Sequence, residues 1–257
     1  MTKFAEQRRA AILAMLEQNT SVQVSEIAKA FGVSCVTVRS DLDVLAHDGK
    51  LRRTHGGAIS LSKTLTVSIQ DRRINVNVEA KRAIAHEAAS FVRAGQSVLV
   101  DTGTTGLALV QALNSCGALT LITADLTIAD YIDRAMPSAE VVLLGGTLRK
   151  AHRYTSGPAA VSALLALRPD VAFVCPTSFA PRHGFMTNYE GMAELKRAFL
   201  SCAGATYVLM DSSKINAPGL YYFGDVSDVD GIFMESDPHG VMTACVKDTS
   251  TQLVLAR

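Results

Sequence analysis

Hydrophobic residues close to the N-terminus recur at helical spacing. Val38, Leu42 and Leu45 are separated by four and then three positions, so at ~100° per residue they form one buried stripe. Ser34 is a favourable N-cap ahead of this stripe, because its hydroxyl can accept a hydrogen bond from the first helical turn. The pattern predicts an amphipathic helix that begins at Ser34 and is ended by Gly49.

Shorter patterns flank this helix on both sides. Two helices are predicted before it, at residues 4–17 and 25–31, and Gly32 supplies the tight turn of a helix-turn-helix. Residues 50–58, K-L-R-R-T-H-G-G-A, predict a basic hairpin closed by glycines. Three helices followed by such a hairpin predict a winged helix-turn-helix domain over residues 1–58.

The face of the predicted helix opposite the buried stripe carries Val36 and Ser40, with Thr37 and Arg39 at its flanks. Hydroxyl groups and Arg can bond base edges or phosphates, and Val can contact a thymine methyl group. A solvated amphipathic helix is the alternative interpretation of the same residues. The candidate DNA contacts on the helix and hairpin are Ser34, Val36, Thr37, Arg39, Ser40, Arg52, Arg53 and His55.

From residue 78 onward, short apolar runs alternate with helical segments. The first helix is predicted over Glu79 to Arg93 and is ended by Gly95. Six strands are predicted, at residues 97–101, 119–123, 140–144, 170–175, 206–211 and 231–234. Four helices fall between them, at residues 106–114, 125–135, 158–167 and 188–202. Continuous apolar runs are typical of strands covered on both faces, so this alternation predicts an α/β domain with a mainly parallel sheet. The domain is assigned to residues 78–257, after a linker at residues 59–77.

Polar residues gather where the predicted strands end, and ligands of parallel sheets bind there. The sequence D-T-G-T-T-G at residues 101–106 leads directly into a helix, and a glycine, three threonine hydroxyls and a helix N-terminus favour a phosphate. The P-loop Lys and its spacing are missing, and an ordinary helix cap is the alternative. The candidate effector-binding residues are Asp101, Thr102, Gly103, Thr104, Thr105, Gly146, Arg149 and Lys214, although Lys214 fits a surface lysine equally well.

Composition narrows the classes of protein that fit. The 257 residues are 48% hydrophobic, enough for two domains with a sizeable core. Net charge is +1, divided into +2 over residues 1–62 (eight basic, six acidic) and −1 over the remainder (seventeen basic, eighteen acidic). The affinity for DNA must therefore come from a local basic surface, and pairing of two copies of the chain would increase this affinity. Five scattered cysteines without C-x-x-C spacing indicate reduced thiols and no metal site. The absence of an apolar run near ~18 residues predicts a soluble, cytoplasmic protein with no membrane contact.

Two groups of motifs carry a specific resemblance. V-S-C-V-T-V-R-S-D-L at residues 33–42 and L-R-R-T-H-G-G-A at residues 51–58 resemble the N-terminal signature of the DeoR family of bacterial transcriptional regulators. The family usually has two arginines where this chain has Arg39-Ser40. The second half resembles the family's C-terminal sensor domain through D-T-G-T-T, L-L-G-G, S-G, E-L-K and D-S-S-K, at residues 101–105, 143–146, 156–157, 194–196 and 211–214.

The resemblance implies a fold similar to that of phosphosugar isomerases and a domain that senses a phosphorylated sugar or related metabolite. It implies that residues 102–105 cradle the phosphate and that Lys214 pairs with its charge. The chain departs from the family pattern in three places. Ala124 stands where an Asn is common, Cys175 and Ser178 stand where glycines are common, and Asp125 would repel an anion if it pointed inward. Cys175, Ser178 and the intervening Pro176 are expected to narrow the mouth of the pocket.

These observations predict a sequence-specific DNA-binding regulator, most simply a repressor of a carbohydrate-metabolism operon, whose operator affinity changes with a phosphorylated effector. A regulator that binds paired half-sites on double-stranded DNA is expected to be a homodimer or homotetramer. Neither a cofactor nor enzymatic activity is expected. Two alternatives remain: a sugar-phosphate isomerase with an accessory DNA-binding module, using Glu190 or Glu194 as general base, and a regulator without an effector.

Overall fold

The chain divides into two compact units, residues 1–68 and 69–257. A computed structural model describes residues 2–19, 21–54, 56–60 and 75–256. Most of the predicted linker, residues 61–74, and the predicted contact His55 lie outside the described residues. The domain boundaries drawn from the sequence therefore stay a prediction.

The first unit contains the three predicted helices and the predicted hairpin. Its elements are α1 (Thr2–Asn19), β1 (Ser21–Gln23), α2 (Val24–Phe31), α3 (Cys35–His47), β2 (Leu51–Thr54) and β3 (Gly57–Ser60). The short strand β1 was not predicted, and it pairs antiparallel with β3 to give the order β1-β3-β2. A side chain at Gly57 would collide with the carbonyl oxygen of Val22, so this pairing requires glycine there. The winged helix-turn-helix prediction is confirmed.

The core of the first unit is built from the predicted helical stripes. Val38 and Leu42 of α3 are fully buried and pack with Ile12 of α1 and Ile27 of α2. Gly32 lies in the left-handed region at φ +62°, where glycine closes the turn between α2 and α3 without strain. These residues hold α3 against the other helices by one face only.

The second unit is larger and alternates helices with strands. Its elements are α4 (Val78–Ala89), β4 (Ser97–Val100), α5 (Thr104–Ala112), β5 (Thr120–Thr123), α6 (Leu126–Ala135), β6 (Glu140–Leu143), β7 (Thr147–Arg149), β8 (Tyr154–Ser156), α7 (Pro158–Leu165), β9 (Val171–Val174), β10 (Ser178–Ala180), β11 (Gly184–Thr187), α8 (Glu190–Cys202), β12 (Ala205–Leu209), β13 (Tyr221–Gly224), β14 (Gly231–Met234), α9 (Val241–Val246) and β15 (Gln252–Leu255). Short 3₁₀ turns occupy residues 113–115, 150–152, 212–214, 226–228 and 238–240.

Seven strands form one sheet in the order β15-β14-β12-β9-β4-β5-β6, with every neighbouring pair parallel. Alternate residues of β4 show that both faces are covered. Leu99 belongs to a core cluster that includes residues of α7, α8 and α9, while Val98 and Val100 belong to a second cluster that includes residues of α4, α5 and α6. The predicted parallel α/β sheet with helices on both faces is confirmed.

The sequence-based assignment of the second unit was incomplete in four places. It missed the outer strand β15, the short helix α9, the antiparallel pair β7–β8, and the small antiparallel sheet β10-β11-β13. The helix predicted to reach Arg93 ends instead at Ala89, because the Ser90 hydroxyl donates to the Glu87 carbonyl and tighter turns follow. Gly95 then adopts φ +87° before β4 begins.

Candidate functional site

The exposed face of α3 is arranged as the sequence predicts. Ser34 is the N-cap, and its Oγ accepts a hydrogen bond from the Thr37 amide at 3.1 Å. Val36 is 72% exposed, and Arg39 and Ser40 are exposed beside it. Thr37 is half-buried and shares a 2.9 Å hydrogen bond between its Oγ1 and Ser34 Oγ. We call Val36, Arg39, Ser40 and His47 the outer face of α3.

The wing contributes one described basic side chain to this region. Arg53 of β2 places its Nε 3.1 Å from an Asp43 carboxylate oxygen on α3, and its Nη1 is buried with no hydrogen-bond partner among the described residues. Asp43 lines the same shallow groove as the outer face of α3. The side chains of Arg52 and His55 lie outside the described residues, so their predicted contacts stay predictions.

A buried carboxylate that the sequence analysis missed anchors α3 to α1. Asp41 accepts hydrogen bonds from Arg8 Nε at 2.6 Å and from Arg9 Nε at 3.0 Å. Both arginines come from α1, so these charge-assisted bonds fix the angle at which α3 presents its outer face. The separation of more than thirty positions hid this pairing from any local pattern.

A cavity of about 160 Å³ opens where the parallel strands of the second unit end. We call it the strand-end cavity. It is lined by Val76, Lys81, Thr102, Gly103, Thr104, Thr105, Arg149, His152, Tyr154, Cys175, Pro176, Thr177, Thr187, Asn188, Met192, Lys196, Asp211 and Lys214. The structure thus brings together six of the eight predicted effector-binding residues.

The turn from β4 into α5 forms one wall of the strand-end cavity. Gly103 adopts φ +112° with α5 beginning at Thr104, so the first-turn amides of Thr104 and Thr105 have no acceptor within the helix. Asp125 accepts the Gly103 amide at 2.9 Å and also caps α6 through the amides of Thr127 and Ile128. The buried Asp125 carboxylate therefore holds the turn at Gly103 in place. This structural role explains why an acidic residue lies beside a candidate anion site.

Asp101, a predicted effector contact, lies beneath this wall and is fully buried. Its carboxylate accepts the Thr102 amide and, at 2.7 Å, the Cys175 amide, and it forms an ion pair with Lys196. Lys196 of α8 also donates to the Cys175 carbonyl at 2.8 Å. The pair ties the ends of β4 and β9 to α8, so Asp101 supports the cavity from within.

Basic residues stand around the strand-end cavity. Lys214 Nζ is 3.8 Å from an Asp211 carboxylate oxygen, and Asn77 Nδ2 donates to the other oxygen at 2.9 Å. Lys81 lines the cavity and donates to the Val76 carbonyl at 2.5 Å. The cavity lining contains four cationic side chains, those of Lys81, Arg149, Lys196 and Lys214. Asp211 is the only acidic residue in the lining described here. This balance favours an anionic ligand.

Arg149 is held by two tyrosines. Its guanidinium carbon lies 4.2 Å from the centroid of the Tyr189 ring, and Nη1 donates to the Tyr154 hydroxyl at 2.6 Å. Burial raises the pKa of the Tyr154 phenol above its ordinary value, against the smaller lowering effect of Arg149. The phenol therefore stays protonated at neutral pH and can itself donate a hydrogen bond.

Gly146 lies outside the cavity lining. Its φ is +135°, and a Cβ there would lie 2.6 Å from the Ser156 carbonyl oxygen, so glycine allows β7 and β8 to approach closely. Glu190 and Glu194, the general bases nominated for an isomerase, are also absent from the lining. Cys175 and Pro176 do line the cavity, and burial raises the pKa of the Cys175 thiol to about 12.

Within residues 2–19, 21–54, 56–60 and 75–256, groups of three or more His, Cys, Asp or Glu side chains suited to a metal ion are absent. In the same part of the chain, every helix is too short or too polar to cross a membrane.

A winged helix-turn-helix with an exposed outer face on α3, together with a separate α/β unit, defines the class of DNA-binding transcriptional regulators. Residues 8–64 match the DeoR-like helix-turn-helix domain, and residues 76–236 match the DeoR C terminal sensor domain. The chain belongs to the DeoR family, as its motifs predicted.

The similarity to known proteins covers most of the chain. The glycerol-3-phosphate regulon repressor of Haemophilus influenzae is 30% identical over 249 residues, covering 96% of each chain. The HTH-type transcriptional regulator GolR of Listeria innocua is 30% identical, covering 82% of this chain and 83% of GolR. Among solved structures, ribose 5-phosphate isomerase A of Methanocaldococcus jannaschii matches 54% of this chain and 55% of its own, with TM-score 0.40 and 16% identity.

Proposed function

We propose that this protein is a transcriptional repressor of a carbohydrate-metabolism operon and that a phosphorylated sugar or related metabolite alters its affinity for the operator. The observation that carries the proposal is the strand-end cavity, where threonines 102, 104 and 105 meet three lysines and Arg149. The names of several relatives support a carbohydrate-metabolism operon as the target of the repressor. They include a glycerol-3-phosphate regulon repressor and a putative aga operon transcriptional repressor from Escherichia coli O157:H7, 29% identical over 232 residues.

In the DNA complex, α3 would lie in the major groove, with Val36 against a thymine methyl group and Arg39 and Ser40 on base edges or phosphates. The wing, including Arg52, Arg53 and His55, would contact the backbone. A unit with a net charge of only +2 over residues 1–62 binds DNA weakly by itself. We therefore propose that a homodimer or homotetramer reads paired half-sites.

Effector binding would change the operator affinity through unequal affinity for two arrangements of the assembly. A ligand that binds both arrangements equally shifts nothing, however tight it is. The cavity's first-turn amides and the cations Lys81, Lys214 and Arg149 provide the contacts for a phosphate-bearing ligand.

The direct test is an electrophoretic mobility shift titration with DNA from upstream of the protein's own gene, at two salt concentrations and with unrelated competitor DNA. Arg39→Ala should weaken binding to this DNA about 5- to 100-fold, the loss of one good base or phosphate contact. Arg182→Ala is the matched control, because Arg182 is an exposed arginine of the second unit. Equal affinity for unrelated DNA, or no difference between the two variants, would contradict the proposal.

The proposed binding of an effector has its own test. Thermal unfolding of the full chain should shift upward with at least one phosphorylated sugar, because a ligand that binds only the native state stabilises it. A regulator that works without an effector would show no shift with any of them.

A further inference from the structure

The cations of the strand-end cavity stand on two sides of the threonine wall. Along the sheet, β12, β9, β4 and β5 are consecutive neighbours. Lys214 follows β12, and the threonines follow β4. Arg149 is paired with Tyr154 in the β7–β8 hairpin, and Tyr154 forms a backbone bridge with Asp125 at the end of β5. Three strand spacings, roughly 14 Å, separate β12, which precedes Lys214, from β5, whose end is bridged to the hairpin that carries Arg149.

The charges on the two sides are compensated differently. Lys196 is paired with Asp101, and Lys214 faces Asp211 at 3.8 Å. Arg149, by contrast, has no carboxylate within 4.0 Å in the described part of the chain. A half-buried guanidinium without an acidic partner is costly to hold, and a ligand anion would compensate it.

Arg149 is also pre-organised for such an anion. One face of its guanidinium lies over the Tyr189 ring, and Nη1 is occupied by the Tyr154 hydroxyl. A guanidinium carries five N–H donors in a rigid fork, so the remaining edge can bind a carboxylate through two parallel hydrogen bonds. The tyrosine contacts restrict the side chain before the ligand arrives, which lowers the ordering cost of binding.

We infer that the strand-end cavity takes a metabolite with an anion at each end, a phosphate at Thr102–Thr105 and a carboxylate at Arg149, which makes the effector a phosphorylated sugar acid. This inference rests on the proposed function and specifies its ligand class. A carboxylate matches the single positive charge of Arg149, whereas a second phosphate would bring between one and two negative charges at neutral pH.

Isothermal titration calorimetry on the full chain tests the inference with matched probes. These are four- to six-carbon aldose phosphates, the aldonic acid phosphates made by oxidising their C1 aldehyde to a carboxylate, sugar bisphosphates of the same length, and inorganic phosphate. At least one aldonic acid phosphate should bind about tenfold more tightly than its aldose phosphate and its bisphosphate counterpart. The preference should disappear in Arg149→Gln, while inorganic phosphate binds both proteins alike.

Lys150→Gln is the matched control, since Lys150 is the neighbouring residue, is exposed and is absent from the cavity lining. It should keep the wild-type preference. Equal affinity of wild-type protein for aldose and aldonic acid phosphates would overturn the inference and leave the proposed phosphate-sensing function standing. Failure of every phosphate compound to bind would overturn both. Because the main comparison uses wild-type protein, a folding defect in Arg149→Gln does not affect it.

Discussion

Lys196 is a charged residue in the interior of the second unit, only 2% exposed. Its ammonium group pairs with Asp101 and lies 5.6 Å from the centroid of the Phe223 ring. The pair links residues 95 positions apart in the chain, so no local pattern predicts it. The sequence placed Asp101 at the edge of the sheet through its position after a buried strand. It did not indicate that the carboxylate is used internally.

Removal of one partner of this buried pair should be strongly destabilising. Lys196→Met leaves Asp101 uncompensated, and we expect the free energy of unfolding to fall by about 3–5 kcal/mol. Urea denaturation followed by circular dichroism measures the change. The double variant Lys196→Met/Asp101→Asn removes both charges and should recover a substantial part of the loss. A single variant that loses less than about 1 kcal/mol would show that the pair is not needed for stability.

Cys175 should behave as a protonated thiol. Burial raises its pKa to about 12, whereas Cys35 is exposed on α3. The thiolate is the nucleophile, so iodoacetamide at pH 8 should modify Cys35 first and leave Cys175 intact, as read by peptide mass spectrometry. Cys35→Ser should leave the slow rate at Cys175 unchanged. Modification of Cys175 as fast as that of Cys35 would contradict the raised pKa.

The same shift predicts how stability depends on pH. The unfolded thiol ionises near its ordinary pKa of 9.0, so between this value and about 12 the unfolded state binds fewer protons than the folded state. The free energy of unfolding should therefore fall as pH rises through this window. Cys175→Ala should make that fall shallower in urea titrations at pH 8 and pH 10. An identical slope in both proteins would contradict the assignment.

At the level of elements, helix α3 depends on its cap. Ser34 supplies the side-chain acceptor for the Thr37 amide, and Ser34→Ala should lower the free energy of unfolding of the first unit by about 1 kcal/mol. Ser34→Asp keeps an acceptor at the N-cap and should retain the stability, while its negative charge should weaken binding to DNA. Urea denaturation and operator titration of the three proteins separate the two effects. Equal destabilisation by Ala and Asp would contradict the capping role.

The elements that the sequence predicts well share a physical feature. Buried strands such as β9 (Val171–Val174) are continuous apolar runs between turn residues, and helix α3 has one stripe at helical spacing. The missed elements lack such patterns. Strands β7 and β8 are three residues each and read T-L-R and Y-T-S, so only their mutual pairing defines them. That hairpin carries Arg149 and Tyr154, so the arrangement of one cavity wall was beyond sequence reasoning.

Residue types at the sites were easier to predict than their partners. The exposure of Val36 and the place of Thr102–Thr105 follow from periodicity and from the end of a strand. The contacts of Arg53 with Asp43 and of Arg149 with Tyr189 depend on how different elements pack against each other. Local sequence patterns carry no information about such pairs.

In the whole molecule, we propose that the unit of residues 1–68 binds DNA and that the unit of residues 69–257 binds the ligand. A coupling between two such sites is reciprocal, because each ligand changes the affinity for the other by the same factor. Operator DNA should therefore weaken the binding of the effector as much as the effector weakens the binding of the operator.

Fluorescence anisotropy gives the dissociation constant for operator DNA with and without the phosphorylated ligand that stabilises the protein best, and the comparison decides whether the two sites are coupled. We expect a saturating ligand to raise the constant about 5- to 150-fold, the usual range of allosteric coupling. Arg149→Gln should bind the operator normally and respond less to the ligand. An operator affinity that stays the same at saturating ligand would contradict the account.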